Sequence, residues 1–317
     1  MARVEWQRAW QDALYGADGF YRDARGPAGH FTTATHGRTG AVLAGALVAL
    51  AREHDLTRVV DVGAGRGELL AHLHAVAPDL HLTGVDVVDA GEVQAGLPPG
   101  CGWVRSTGGA ALPEDLTGLD DALVVAHEWL DVVPCVVAQV DDDGVLRHVE
   151  VDGATGSEAL GQPVGGDDLA WAREHWPTTT PGDRVEVGLA RDRAWSTLLS
   201  RLHHGVAVAV DYAHRAGERP AGGTLAAYRE GRTVTPVPDG SCDLTAHVAM
   251  DTLDHDELLD QRTALRGLGV DGSTPPHDLA LREPQAYLRA LELSSAAAAL
   301  TAPGGFGDFL WAVKRVG

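Results

Sequence analysis

A glycine-rich segment between a predicted strand and a predicted helix carries the clearest chemical signal in this sequence. The strand pattern RVVDVG (58–63) is followed by AGRG and then by the helical pattern ELLAHLHAV (68–76). A glycine-rich turn from strand to helix brings backbone N–H groups and the helix N-terminus close to a ligand, at the carboxyl edge of the sheet. The segment therefore predicts a site for a nucleotide-type cofactor.

The spacing of the glycines distinguishes between two cofactor classes. Dinucleotide-binding proteins use G-x-G-x-x-G, but Glu68 stands where the third glycine would be, and its side chain is poorly suited to the approach of a pyrophosphate. The spacing here is acid-x-G-x-G-x-G, and it begins at Asp61. Because Asp61 is placed to meet a cationic group such as the ammonium of a methionine moiety, the pattern favours S-adenosylmethionine over NAD.

Asp86 is the second candidate for cofactor binding. It lies 23 residues after Gly63, within the second predicted strand pattern, HLTGVDVV (81–88). A carboxylate in this place can accept hydrogen bonds from both ribose hydroxyls, in S-adenosylmethionine and NAD alike. The alternative interpretation is structural: the turn is only a tight connection and Asp86 caps a helix.

Two further acids follow the fourth predicted strand, DALVVAHE (121–128), in the segment AHEWLDVVP (126–134). Because this edge of a doubly wound sheet faces the ligand, Glu128 and Asp131 are candidates for contacting the substrate. Two carboxylates can hold a guanidinium by charge-assisted hydrogen bonds and leave a nitrogen lone pair facing a methyl donor. The alternative is that Asp131 caps the following segment and Glu128 is solvated.

Short β-branched runs that alternate with helical patterns predict an α/β fold, with a mostly parallel sheet covered by helices on both faces. Further strands are predicted at 102–106, 205–212 and 307–316, and a β-hairpin at 136–151. Helices are predicted at 5–14, 41–53, 184–204, near 257–268 and at 287–300. We expect an N-terminal helical and glycine-rich segment over 1–53. The α/β domain then spans 54–317, with insertions at about 136–183 and 213–275.

Composition excludes several classes of partner and location. The 317 residues carry 25 basic and 45 acidic side chains, a formal charge of −20, which disfavours nucleic acid and anionic membranes. Three widely spaced cysteines without a CxxC pair give no sign of a disulfide framework or a zinc site, so no metal is expected. The N-terminus lacks an apolar run of the kind found in export signals. We therefore expect an unexported, cytoplasmic protein.

The chain resembles the MidA-like class I methyltransferases. The resemblance rests on uncommon sequence motifs that occur in the family's order along nearly the whole chain. They are LYGADGFY (14–21), GHFTTA (29–34), DVGAGRGELL (61–70), AHEWLDVVP (126–134), VAVDYAH (208–214), GGTLAAYREGR (222–232) and DLTAHV (243–248). Mitochondrial members of this family methylate an arginine in a subunit of complex I and assist its assembly. The resemblance implies a Rossmann-like fold, S-adenosylmethionine as cofactor and a partner protein with an arginine-bearing segment.

Carried over by position, the resemblance implies roles for individual residues. Gly63, Gly65 and Gly67 line the cofactor turn, Glu128 and Asp131 take the acidic positions after the fourth strand, and Asp211 with Tyr212 ends the fifth. The complete candidate set has three parts. The catalytic candidates are Glu128, Asp131 and Asp211; the cofactor-binding candidates are Asp61, Gly63, Ala64, Gly65, Gly67, Asp86, Val87, Ser106 and His127; the substrate-binding candidates are His30, Thr33 and Tyr212.

Departures from the family pattern keep two other functions open. His30 stands where the family commonly has Asp, Thr35-His36 where it has Pro-Glu, and His127 where it has Asn. The alternatives are a methyltransferase for a small-molecule oxygen or nitrogen nucleophile, and an assembly factor that binds the cofactor without turnover. A homodimer is among the oligomeric states compatible with the sequence.

Overall fold

The computed structural model describes residues 3–22, 33–93, 95–270 and 272–317. A seven-stranded sheet forms its centre. In spatial order, its strands are β16 (Glu257–Asp260), β17 (Leu310–Val316), β10 (Leu202–Asp211), β5 (Leu119–His127), β2 (Arg58–Val62), β3 (His81–Asp86) and β4 (Gly102–Arg105).

The five strands from β10 to β4 are parallel, whereas β17 runs antiparallel to both β10 and β16. The chain passes from β2 through β3 to β4 on one side, and then returns to place β5 and β10 on the other. The strand order therefore reverses between β2 and β5. In open α/β sheets, ligands bind in the crevice at this switch point, outside the carboxyl ends of the strands.

Helices cover both faces of this sheet, as the sequence predicts for an α/β fold. One buried cluster joins the sheet to residues of α2, α3, α7 and α9, and a second joins the opposite face to α6. The helices are α1 (Trp6–Tyr15), α2 (Gly37–Glu53), α3 (Glu68–Val76), α4 (Ala90–Val93), α5 (Gly166–His175), α6 (Leu189–Leu199), α7 (Gln261–Gly267), α8 (His277–Arg282) and α9 (Pro284–Thr301). In the described ranges, no helix has the length and apolar character needed to cross a bilayer.

A second sheet packs on the N-terminal helix. Its strands are β1 (Val4–Glu5), β7 (Leu146–Val151), β6 (Val136–Val140) and β9 (Arg184–Val187), with β8 (Glu158–Pro163) paired to β7. The antiparallel pairing of β6 with β7 confirms the predicted hairpin. Helix α1 buries Trp6 and Trp10, and the indole N–H of Trp10 donates to the carbonyl of Leu244 (3.0 Å). The N-terminal segment thus shares a core with β6, β7 and β14 (Asp243–Thr245), and the predicted division of the chain at residue 53 and into insertions stays a prediction.

The predicted helix over 184–204 is wrong at both ends. Residues Arg184–Val187 form β9, α6 covers only Leu189–Leu199, and Leu202 already begins β10. The sequence RVEV alternates with period two and pairs with β6, so strand pairing outweighs the helical pattern that follows it. Likewise, Glu257–Asp260 is the edge strand β16, and only Gln261–Gly267 is helical.

Short strands after β10 complete the fold. A two-stranded sheet pairs β11 (Ala213–His214) with β15 (Val248–Ala249), and a three-stranded sheet has the order β13 (Arg232–Val234), β12 (Ala226–Arg229) and β14 (Asp243–Thr245). The N–H of Ala246 donates to the carbonyl of Asp131 (3.2 Å). The second insertion is therefore attached to the segment that follows β5.

Candidate active site

The glycine-rich turn adopts backbone angles that glycine makes accessible. Gly63, Gly65 and Gly67 have φ angles of +79°, +59° and +86°, a region that residues with a Cβ rarely adopt. A Cβ on Gly67 would also lie 2.4 Å from Cδ2 of Leu97. The N–H of Gly63 donates to the carbonyl of Val85 on β3 (2.9 Å). The turn is therefore fixed to the next strand, at the crevice between β2 and β5.

Asp86 supports the turn and also faces the cavity beside it. Its Oδ2 accepts from the N–H of Gly65 (2.8 Å) and its Oδ1 from the N–H of Val88 (3.2 Å). Burial raises the pKa of Asp86 to about 6, although these N–H groups act in the opposite direction. Each carboxylate oxygen can accept more than one hydrogen bond. The donor and acceptor chemistry at Asp86 therefore fits a ligand with two adjacent hydroxyls.

Asp61 and His127 are buried polar residues at the ends of β2 and β5, and both line the cavity. Within the described part of the chain, neither ring nitrogen of His127 has a hydrogen-bond partner, and its Nδ1 lies 3.3 Å from Oε1 of Glu128. Burial raises the pKa of Asp61 to about 7. Since buried polar groups are almost always hydrogen-bonded, the two ring nitrogens of His127 fit a cavity whose polar ligand supplies a partner.

Glu128 begins the segment after β5 in a strained conformation. Its φ is +52°, which is uncommon for a residue with a long side chain, and its N–H donates to the carbonyl of Val210 (2.9 Å). Such strain persists where surrounding structure imposes it, and it clusters at functional sites. Glu128 lines the cavity together with Asp131, which is 5% exposed. The two acids predicted to contact the substrate thus lie beside the glycine-rich turn.

Each of these acids has one carboxylate oxygen without a hydrogen-bond partner among the described residues. Oδ2 of Asp131 accepts from the hydroxyl of Thr245 (2.7 Å). Considering only the residues that the structure describes, Oδ1 of Asp131 and Oε1 of Glu128 are buried without a hydrogen-bond partner. Burial raises the pKa of Asp131 to about 6, and the nearby charge of Glu128 adds to this effect.

The structure corrects the catalytic role predicted for Asp211. This residue is fully buried and does not line the cavity. Its Oδ2 accepts from the N–H groups of Leu130 (3.0 Å) and Asp131 (3.1 Å), and its Oδ1 from the N–H of Tyr212 (3.0 Å). Asp211 therefore positions the segment after β5, because the unpaired N–H groups of that segment need an acceptor.

The three predicted substrate-binding residues differ in their position relative to the cavity. Thr33 lines the cavity, and its hydroxyl lies 2.8 Å from the hydroxyl of Thr35 and 2.5 Å from Nδ1 of His36. Tyr212 lies outside the cavity lining, is 39% exposed, and packs its ring against Phe309 (4.1 Å between centroids). The substrate-binding role of Tyr212 therefore stays a prediction. His30 lies outside the described residues. The remaining cofactor-binding candidates Ala64, Val87 and Ser106 all line the cavity, whereas Gly67 lies in the turn outside the cavity lining.

The cavity wall also includes residues that were not predicted, among them Tyr15, Tyr21 and Asp243. The rings of Tyr15 and Tyr21 stack at 5.5 Å, and the Tyr21 hydroxyl donates to Oδ1 of Asp243 (2.8 Å). The Tyr15 hydroxyl donates to the carbonyl of Val132 (3.0 Å). The sequence signal for these residues was their presence in the motifs LYGADGFY and DLTAHV. These motifs are far apart in the chain, and nothing in their sequence indicates that they meet.

The cavity wall is strongly acidic. It carries six carboxylates, from Asp61, Glu68, Asp86, Glu128, Asp131 and Asp243, and its cationic or titratable basic groups are Arg66, His36 and His127. Such a surface attracts cations and repels anions. Across the described ranges, no group of three or more His, Cys, Asp or Glu side chains is arranged to hold a metal ion.

Arg191 on α6 is a buried cation that holds the active-site segments together. It donates to the carbonyls of Val133 (3.1 Å), His247 (2.9 Å) and Asp131 (2.8 Å), and it is 2% exposed. The residue lay inside a predicted helix but was not singled out, since its three partners are 56 to 60 residues distant in sequence.

We expect Arg191→Met to lower the free energy of unfolding by about 3–5 kcal/mol, because it removes three charge-assisted hydrogen bonds to backbone carbonyls, two of them buried. Urea unfolding followed by circular dichroism measures this change. Arg193→Met is the matched control on the same helix, since Arg193 forms an exposed ion pair with Asp167 and should contribute less than about 1 kcal/mol. Equal effects of the two substitutions would contradict the role given to Arg191.

We expect the stability of the ligand-free protein to fall as pH rises from about 4 to about 7. Burial lifts the pKa of Asp61 from its usual 3.8 to about 7, with Asp86 and Glu68 acting in the same direction and His127 against it. The native state therefore binds more protons than the unfolded state over this range, so stability declines with pH. The contribution of one such carboxyl is on the order of 4 kcal/mol.

Urea unfolding of the wild type and of Asp61→Asn at several pH values tests this expectation. The asparagine variant should show a shallower decline, because it lacks the proton that native Asp61 retains. Parallel curves for the two proteins would mean that Asp61 ionises normally in the folded state.

Comparison with known proteins agrees with this geometry. A family model described as "Putative S-adenosyl-L-methionine-dependent methyltransferase" matches residues 106–267, slightly more than half of the chain. No curated protein matches the sequence significantly.

Two solved structures share the fold. One is a COG1565 superfamily member from Burkholderia thailandensis bound to S-adenosyl-homocysteine, with 23% identity and a TM-score of 0.75 over 98% of this chain and 87% of that one. The other is a native structure of a COG1565 superfamily protein from the same organism. It has 23% identity and a TM-score of 0.74, over 99% of this chain and 87% of that one. The fold and the family match together confirm the predicted family, so the chain belongs to the S-adenosyl-L-methionine-dependent methyltransferases of the MidA-like type.

Proposed function

We propose that this methyltransferase modifies an arginine side chain of a partner protein. One observation carries the proposal: Oε1 of Glu128 and Oδ1 of Asp131 are both buried, line the cavity next to the glycine-rich turn, and have no hydrogen-bond partner among the described residues. A guanidinium has five N–H donors in a planar fork and no acceptor. It is therefore a group that could donate to both oxygens at once and offset part of their negative charge.

The cofactor supplies a methyl group on a sulfonium that is already activated. In the proposed reaction, a guanidinium nitrogen forms a bond to the methyl carbon while the carbon–sulfur bond breaks, and its electron pair stays on sulfur. The nitrogen loses one proton, which Asp131, Glu128 or water accepts. The protein must chiefly hold and align the acceptor, and such alignment is worth up to about 7–11 kcal/mol in favourable systems.

The cofactor-binding roles of individual residues belong to the same proposal. The turn glycines, Asp61, Asp86, Val87, Ser106 and His127 would hold S-adenosylmethionine, and Thr33 would lie near the acceptor. The acidity of the cavity supports this assignment, because both the donor and the proposed acceptor are cationic.

Mass spectrometry tests the acceptor. Proteins from cells that carry the wild-type gene, from cells without it and from cells with the Glu128→Gln variant are compared for methylarginine. We expect at least one protein whose methylarginine is present only with the wild type. The three candidate functions predict different outcomes. A methylated small molecule without methylarginine would favour a small-molecule methyltransferase. Absence of S-adenosylhomocysteine formation with every partner tested would favour the non-catalytic assembly factor.

We also propose a cytoplasmic location. Cys101, Cys135 and Cys242 are free in the structure, and such thiols suit a reducing compartment. Cell fractionation with an antibody against the protein would check this, and recovery in the exported fraction would contradict it.

A further inference from the structure

A third carboxylate, that of Asp243, lines the cavity, and the proposed reaction does not use it. Asp243 on β14 is 5% exposed and lines the same cavity as Glu128 and Asp131. Its Oδ1 accepts a hydrogen bond from the hydroxyl of Tyr21 (2.8 Å). Tyr21 and Asp243 come from segments 222 residues apart. Both segments lie outside the seven-stranded sheet, so their meeting at the cavity is a feature of the additions to the fold.

The geometry of β14 fixes the position of Asp243 relative to Asp131. Thr245 lies two residues further along β14, and its hydroxyl donates to Oδ2 of Asp131 (2.7 Å). Residues two apart on a strand point to the same face and lie roughly 7 Å from each other. Asp243 and the partner of Asp131 therefore lie on the same face of β14, which brings both acids to the same cavity.

Among the described residues, Arg191 is the buried arginine nearest to the segment that carries Glu128 and Asp131, and it is already engaged. Arg191, which packs beneath Asp131, donates from its guanidinium to three backbone carbonyls. Burial raises the pKa of Asp243 well above its usual range, and the charges of Asp131 and Glu128 raise it further, although the hydrogen bond from Tyr21 opposes this. Asp131 meanwhile keeps its buried Oδ1 free of any partner that the structure describes. The described wall of the cavity thus carries more acidic than basic side chains, which favours a cationic ligand.

We infer that Asp243, positioned by Tyr21, is a third substrate-binding carboxylate, and that Glu128, Asp131 and Asp243 together select a guanidinium over an ammonium. The inference rests on the proposed function and names the feature that sets its specificity. A guanidinium directs donors to several sides in one plane, whereas an ammonium is a compact point charge with three donors. Carboxylates distributed around a cavity therefore suit the guanidinium better.

A purely structural role for Asp243 makes a different prediction. If the Tyr21 hydrogen bond only tied the N-terminal segment to the insertion, its loss would lower stability without changing the affinity for one cation relative to another. The discriminating measurement is therefore the binding of two matched cations to folded protein.

Isothermal titration calorimetry supplies this measurement. The probes are N-acetyl-arginine amide and N-acetyl-lysine amide, added to the full-length protein saturated with S-adenosylhomocysteine. The variants are Asp243→Asn, Tyr21→Phe and the control Glu218→Gln, which alters an exposed acid of the same insertion. Circular dichroism and the affinity for S-adenosylhomocysteine report whether each variant is folded.

We expect the wild type to bind the arginine amide more tightly than the lysine amide. Asp243→Asn should weaken binding of the arginine amide about tenfold or more and reduce the preference for arginine. Tyr21→Phe should weaken binding of the arginine amide by a smaller factor, because the carboxylate of Asp243 remains but loses the hydrogen bond that orients it. Glu218→Gln should bind both probes as the wild type does.

Three results would overturn the inference: no binding of the arginine amide to the wild type, equal affinities for the two amides, or an unchanged preference in both Asp243→Asn and Tyr21→Phe. If Asp243→Asn failed to fold, Tyr21→Phe would decide the matter. Failure of the proposed function would look different from failure of this inference. A preference for the arginine amide without any methylarginine in partner proteins would contradict methyl transfer to arginine. Methylarginine formation together with unchanged amide affinities in Asp243→Asn would contradict only the role of Asp243.

Discussion

Replacement of Asp86 by alanine is expected to raise the dissociation constant for S-adenosylmethionine at least about 100-fold. The reason is twofold. In our assignment, the carboxylate receives the ribose hydroxyls, and in the structure it also holds the N–H groups of Gly65 and Val88. Alanine removes the ligand contact and leaves the turn without its acceptor, so both effects lower affinity. Calorimetry with S-adenosylmethionine and S-adenosylhomocysteine measures the change.

Asp89→Ala is the matched control, because Asp89 lies three residues further on and forms only an exposed ion pair with Arg105 (3.0 Å). It should leave the affinity within about twofold of the wild type. Retained affinity in Asp86→Ala would remove the ribose assignment.

A ligand analogue separates the two effects at Asp86. S-adenosylhomocysteine that lacks the ribose 2′-hydroxyl should bind the wild type more weakly than the parent compound. In Asp86→Ala, the parent and the analogue should bind about equally, since the acceptor for that hydroxyl is gone. If the analogue lost the same factor in both proteins, Asp86 would act only by supporting the turn.

Glu128→Gln is expected to keep cofactor affinity and to lower kcat/KM for methyl transfer at least about 100-fold. The amide has nearly the same shape as the carboxylate, but it carries no charge to balance a guanidinium and it presents N–H donors to a group that is itself all donors. Turnover is measured as the production of S-adenosylhomocysteine in the presence of the unmethylated form of the partner protein that the mass spectrometry identifies. Glu257→Gln, on the edge strand and exposed, is the control.

The strained backbone at Glu128 offers an independent check. Because φ is +52° there, Glu128→Gly should relieve strain and leave the free energy of unfolding equal to that of the wild type or higher. It should nevertheless lose turnover as Glu128→Gln does. A Glu128→Gly protein that unfolds more easily would mean that the side chain serves the fold. Unchanged turnover in either variant would place the acceptor site elsewhere.

The sequence by itself determined the central architecture and the class of cofactor. The strands β2, β3, β4 and β5 begin within two residues of their predicted positions, and α3 coincides with its pattern over 68–76. These elements follow from local periodicity, and the turn follows from three glycines whose positive φ angles no other residue type adopts easily. Local rules were sufficient because each of these features lies within a short stretch of chain.

The tertiary structure alone decided which acids face the cavity. Asp131 and Asp211 both follow parallel strands, but Asp211 must satisfy the N–H groups of Leu130 and Asp131, so it is unavailable to a substrate. Tyr21 and Asp243 reach the cavity only because α1 and β14 share one core with β6 and β7. Such contacts join residues far apart in sequence, and no spacing in the chain encodes them. Packing and the need to pair every buried polar group therefore determined the second half of the site.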